Sequence, residues 1–211
     1  MVICAATGNA KKLAELRRIL ELAGHTIVSQ KELNITLEPE ETGTTFEENA
    51  HIKAAAICKE SGMPTLADDS GLEVDALGGA PGVYSARYCG RHGDDAANNQ
   101  KLLENLGDVP PSQRTGRFVS AVCLCMPDGR SLTLRGECPG FIADKLTGEG
   151  GFGYDPLFIP TQLPDQQGNL HPNTQQITFS QLEDWQKDAI SHRGKVLERL
   201  QQELPQFLQQ E

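Results

Sequence analysis

The 211-residue sequence contains no apolar run approaching the roughly 20 residues that a membrane-spanning helix needs. That excludes a chain organised around helical membrane spans. It has no excess of positive charge: 19 Lys and Arg against 29 Asp and Glu leave a formal net charge of −10. No basic footprint of the kind nucleic-acid-binding domains carry is visible, so a general polyanion binder is excluded. An anionic ligand neutralised by local lysines and a divalent cation is not. No C-x-x-C pair occurs among six cysteines at positions 4, 58, 89, 123, 125 and 138. Cys123 and Cys125 stand two apart in a strand-like run, share a face, and read as packing residues rather than ligands. All six read as reduced thiols of a cytosolic protein. The opening MVICAATGNAKK has no basic segment ahead of its apolar run, so it reads as a buried first strand and not a signal peptide. A cytoplasmic location is expected. There is no G-x-x-x-x-G-K-[ST] phosphate loop, no internal repeat and no low-complexity segment.

What is present is a pattern that changes half-way. Residues 1–7 read as a strand, and Leu13, Leu16, Leu20 and Ala23 fall on one helical stripe that Gly24 can stop. HTIVSQ reads as a second strand, KELNITLEPEETG as an acidic loop, and residues 45–61 as a helix between a threonine cap and Gly62. MPTLADD reads as a third strand that ends at its two aspartates, and residues 94–107 as a helix opened by Asp94 or Asp95. Two β-rich runs then flank a PDG turn, a hairpin signal. The polar stretch from 160 to 178 reads as an exposed loop, followed by a helix over about 180–189 and a last helix capped by Ser191. Strand–helix alternation giving way to an antiparallel centre predicts an α/β fold: a mixed sheet in two lobes, helices on its faces, an active-site cleft between the lobes. Residues 1–211 are expected to form one functional domain.

Five places could carry chemistry. In ATGNAKK a strand meets a helix start, where backbone N–H groups and Lys11 and Lys12 suit an anion; an ordinary Asn-capped turn would look the same. Asn49 and Lys53 share the phase of a buried helical stripe, so the Lys53 ammonium either snorkels or meets an anion. Asp68 and Asp69 stack two carboxylates on a buried strand, which suits a hard cation or a tight turn. Consecutive strand residues face opposite ways, so one aspartate should face a site and the other support the turn; phase alone does not say which. GEGGFGYDPLF embeds Phe152 and Tyr154 in a glycine-rich loop, able to stack a base or to plug the core. His192 and Arg193 open the last helix.

Together TGNAKK, FEENAHIKA, ADDSGLEVDALGGAPGVYSARY, GFGYDPLF and SHRG, in this order across nearly the whole chain, are similar to the inosine triphosphate pyrophosphatase family. The resemblance implies a homodimer that hydrolyses ITP, dITP and XTP to the monophosphate and pyrophosphate with Mg²⁺. It implies phosphate binding by Thr7, Gly8, Asn9, Ala10, Lys11 and Lys12, and a catalytic pair in Asp69 and Lys53. It implies metal ligation by Asp69, with Asp68 beside it, and Glu40, with Glu38 and Glu41 close enough to leave the glutamate open. Nucleotide-binding positions are implied at Ser70, Phe152, Gly153, Tyr154, Asp155, Lys187, His192 and Arg193. No nucleic-acid or membrane partner is expected. The alternatives are a Maf-like pyrophosphatase with pyrimidine substrates and a non-catalytic nucleotide-binding protein.

Overall fold

The computed structural model describes residues 1–209. Strands are β1 (Val2–Ala5), β2 (Thr26–Ser29), β3 (Thr65–Val74), β4 (Thr115–Cys125), β5 (Ser131–Ile142), β6 (Phe158–Pro160), β7 (Gln162–Pro164) and β8 (Leu170–Pro172). Helices are α1 (Ala10–Leu22), α2 (Phe46–Ser61), α3 (Asp95–Leu106), α4 (Asp184–Ile190) and α5 (His192–Leu208). Six strands form one sheet in the order β2-β1-β3-β4-β5-β6. β1 pairs parallel with β2 and β3, and β5 pairs antiparallel with β6, so the expected mixed α/β sheet is present. No helix among the described residues is long and apolar enough to cross a membrane.

The chain divides into two compact units, and β3, β4 and β5 each contribute residues to both. One unit holds Met1–Asp69, Ser120–Gly136 and the segment from Arg193 onward. Its core joins Ile3, Leu16, Leu20, Leu66, Val122 and Leu197. The other holds Ser70–Val119 and Glu137–His192, around Leu72, Leu102, Phe118, Phe158 and Phe179.

Local signals set most helix ends. Thr45 Oγ1 accepts the Glu48 N–H while the Glu48 carboxylate reaches back to the Thr45 N–H, a reciprocal cap that starts α2. Gly62 stops it at φ 65°, a left-handed backbone that a side chain would resist. Asp94 caps α3 through the Ala97 N–H.

Three expectations need correction. β3 does not end at its aspartates but runs on through Ser70 and Gly71 to Val74, because Leu72 and Val74 continue the buried alternation into the second core. The 160–178 stretch is not all loop: β7 and β8 pair antiparallel, their turn tied by Asp165 Oδ1, which accepts the N–H groups of Gln167 and Asn169 at 2.8 and 2.9 Å. Residues 180–189 are a 3₁₀ turn at Phe179–Gln181, then α4, since Thr178 and Glu183 each start their own capped segment.

Candidate active site

In the first unit the sequence-adjacent aspartates of β3 are both buried, and each meets cations through a different set of partners. Lys12 Nζ of α1 and Arg193 Nη2 of α5 both lie 3.1 Å from Asp68 Oδ2, and Arg193 Nη1 is also paired with Glu15. Arg193 is 1% exposed and Asp68 2%. Burial alone would raise the Asp68 carboxyl; Lys12, Arg193 and, less strongly, Lys53 outweigh it and hold it far below the usual carboxylate range. Asp68 Oδ1 is buried and has no hydrogen-bond partner among the described residues.

Asp69 faces α2. Asn49 Nδ2 donates to its Oδ2 at 3.1 Å, and Lys53 Nζ lies 3.6 Å from its Oδ1. Asn49 Oδ1 accepts the Gly43 N–H at 2.8 Å, so one amide ties the end of the acidic loop to Asp69. The glutamate that this loop brings in is Glu41, 2.6 Å from Lys53 Nζ, whereas Glu38 and Glu40 are exposed. Burial raises the Asp69 carboxyl above its ordinary value; Lys53 opposes the rise and Glu41 reinforces it. Lys53 is raised in turn: burial would lower it, but Asp69, Asp68 and Glu41 outweigh burial. The Lys53 ammonium therefore does not snorkel to water; it sits among carboxylates. Neither aspartate supports a turn, as one of them was expected to do.

The Thr7–Ala10 turn is exposed from Gly8 onward. Asn9 caps α1, its Oδ1 accepting the Lys11 and Lys12 N–H groups at 2.9 and 3.2 Å, while the Asn9 N–H goes to Thr7 Oγ1. Those two amides are committed to the cap, so the turn's capacity for an anion rests more on its lysine side chains than the helix-start argument supposed.

In the second unit, Lys187 Nζ lies 2.8 Å from Asp155 Oδ2 and 4.7 Å from the Phe152 ring centroid. Asp155 Oδ2 also accepts the Phe152 N–H at 2.8 Å. The glycine loop is pressed against these groups: a Cβ on Gly151 would stand 2.2 Å from Asp155 Oδ2, which no side chain permits. Gly153 donates its N–H to Asp95 Oδ2, and Ser180 Oγ donates to the Gly150 carbonyl. Ser70 is half-buried on β3.

Tyr154 is a core residue whose hydroxyl donates to the Ser85 carbonyl at 2.9 Å. Arg193 pairs with Glu15 and Asp68 in the first unit. His192 is buried and stacks on Phe118 with ring centroids 4.8 Å apart. Sequence reasoning missed Glu15, Phe179 and Ser180. Only an acidic residue on the buried stripe of α1, beside Leu16, could have pointed to Glu15.

The Ham1 family model matches residues 3–203. The chain belongs to the Ham1 family. It is 51% identical over 201 residues to the dITP/XTP pyrophosphatase of Nocardia farcinica, covering 94% of this chain and 92% of that protein. It is 47% identical over 208 residues to the dITP/XTP pyrophosphatase of Exiguobacterium sibiricum, covering 99% of each. Among solved structures, a HAM1 protein from Coxiella burnetii is similar at TM-score 0.82 and 39% identity, over 98% of this chain and 99% of that one. The Ham1 match takes in all five segments on which the family resemblance rested, and with them the aspartate pair, Lys53 and the Lys187–Asp155 group.

Proposed function

We propose that this protein hydrolyses the deaminated purine nucleoside triphosphates ITP, dITP and XTP to monophosphate and pyrophosphate. It does so as a Mg²⁺-dependent cytoplasmic homodimer in which residues 1–211 act as one domain. The observation that carries the reading is Asp69: a buried carboxylate raised by its surroundings, oriented by Asn49 and flanked by Lys53. A raised carboxyl is a better proton acceptor near neutral pH than an ordinary aspartate. Asp69 takes a proton from water as the water oxygen bonds to the α-phosphorus, and the bond from that phosphorus to the pyrophosphate oxygen breaks. Lys53 and the exposed Lys11 place positive charge against the triphosphate.

The residues fit a divalent cation. Asp69 and Glu41 both reach Lys53 and offer the carboxylate oxygens that hard cations prefer, and the buried Asp68 Oδ1, without a hydrogen-bond partner among the described residues, is a further acceptor next along β3. We assign the loop ligand to Glu41 in place of Glu40 because Glu41 is the one gathered to Lys53. When bound, Mg²⁺ neutralises phosphate charge and stabilises the departing pyrophosphate.

For the base, we assign stacking to the Phe152 ring and hydrogen-bond donation to Lys187, which Asp155 holds in place. A 6-oxopurine presents an acceptor at C6, whereas adenine presents an amino donor there. N1 differs in the same way, a donor in the 6-oxopurine and a bare acceptor in adenine, so two mismatches at about 1–3 kcal/mol each put kcat/KM for ITP roughly 30- to 10⁴-fold above that for ATP. Pyrophosphate release from ITP, XTP, dITP, ATP, GTP and pyrimidine triphosphates, with and without Mg²⁺, tests this. Equal rates on ITP and ATP, or a preference for pyrimidines, would overturn it.

Lys53→Met should lower kcat/KM by tenfold or more, about 1.4 kcal/mol of transition-state stabilisation, and should also lower the melting temperature, because Asp69 and Glu41 lose the cation they share. Methionine keeps the apolar stem and deletes the charge. Unchanged kinetics in a folded variant would return Lys53 to a structural role.

A further inference from the structure

Cys123 and Cys125 were expected to be packing residues. In the structure both are buried on β4, and their sulfur atoms stand 3.7 Å apart. The exposed His51 of α2 turns its Nδ1 toward them, 3.5 Å from Cys123 Sγ and 3.9 Å from Cys125 Sγ. All three belong to the first unit, and their candidate ligand atoms lie within 4.8 Å of one another. We propose that His51, Cys123 and Cys125 form a second metal site, for Zn²⁺, with water in the fourth position.

The distances are those of a tetrahedron's edges. Zn–S bonds of about 2.3 Å and Zn–N bonds of about 2.0–2.1 Å at tetrahedral angles put two sulfurs roughly 3.8 Å apart and sulfur from nitrogen roughly 3.6 Å. The soft donor set separates this site from the carboxylate group around Asp69: thiolate and imidazole suit zinc, and carboxylates suit magnesium. So does its position, since His51 is two residues from Asn49 and from Lys53, about 200° round α2 from each. Binding costs no redox change; each thiol releases its proton to solvent as its sulfur bonds the metal. Thr133 of β5 is placed to orient the Cys123 sulfur, as outer partners of metal ligands do. The bound ion would fasten α2 to β4.

Cobalt(II) titration of metal-stripped protein under reducing conditions tests the site, because only thiolate ligation gives the near-ultraviolet sulfur-to-cobalt charge-transfer band. The parent should develop that band to saturation at one equivalent, lose it on adding Zn²⁺, and melt at a higher temperature with Zn²⁺ than without. His51→Ala, a surface change that should not affect folding, should weaken cobalt binding by more than the roughly 10–100-fold that loss of an outer partner costs. Cys123→Ser should weaken the band by about half or more, and the double variant Cys123→Ser/Cys125→Ser should remove it. A parent that binds cobalt without the band, or not at all, overturns the proposal. So does a His51→Ala variant that binds as tightly as the parent. None of these readouts depends on nucleotide turnover, so the pyrophosphatase reading stands or falls separately.

Discussion

Asp69→Asn is expected to fold as stably as the parent and to lose a hundredfold or more of its turnover, the usual cost of removing a general base being about 10²–10⁴. Asparagine keeps the shape and the oxygen that accepts from Asn49, so packing survives. It removes the charge that accepts the proton of water. The stability half has a definite sign. A carboxyl raised by burial favours its protonated form in the fold, so its ionisation costs stability as pH rises through the folded value. The amide escapes that cost at neutral pH. In the metal-free protein the Asp69 carboxyl should titrate above the ordinary aspartate value, and that titration should be absent from the variant. Activity within about tenfold of the parent would remove Asp69 from the base role.

One residue earlier the outcome reverses. Asp68→Ala should cost about 3–5 kcal/mol of stability, the price of leaving buried charges without their partner. For a chain of this size that is a fall of about 6–20 °C in Tm. The variant leaves Lys12 without its 3.1 Å partner and Arg193 with Glu15 alone. Because the folded Asp68 carboxyl is depressed, its contribution is fully present above the unfolded value of about 3.9 and is lost as pH falls below that toward the folded value. The gap between parent and variant should therefore be the same at pH 7 as at pH 5. Chemical denaturation at both values measures it, and a gap under about 1 kcal/mol would show that Asp68 does not anchor the cluster.

The contrast between the two aspartates shows where sequence reading succeeds and where it stops. Both were visible as carboxylates on a buried strand, and strand alternation set them facing opposite ways, but the turn that one was expected to support is absent because β3 runs on to Val74. Their roles depend on residues no local pattern can supply. Arg193 lies 125 positions from Asp68, and 178 from Glu15. Helix α2 was legible at both ends because its caps are local chemistry, and Asn49 and Lys53 were legible as one face because helical phase is local too. The choice of Glu41 over Glu40 turns on the path of an irregular loop, where a shift of one residue carries no signature. Tyr154 and Phe152 stand in one glycine-rich segment with similar rings, and only the packed core shows that the first is buried among Leu72, Leu102 and Phe158. His51 and Cys123 are 72 positions apart, so their approach could not be read from either neighbourhood.

The Asn49 amide has a bearing on how the protein ages. Both ends of that group are used, the oxygen by the Gly43 N–H and the nitrogen by Asp69. Spontaneous deamidation would convert the nitrogen into a second oxygen, replace a donor with an acceptor, and set carboxylate against carboxylate beside Lys53. That reaction needs the following backbone nitrogen to swing onto the side-chain carbonyl. Here that nitrogen belongs to Ala50, fully buried within α2 and fixed in helical geometry one turn past the Thr45–Glu48 cap. The same helix that aims the amide at Asp69 thus slows the amide's own decay, and the working life of the site is tied to how rarely the first turn of α2 frays.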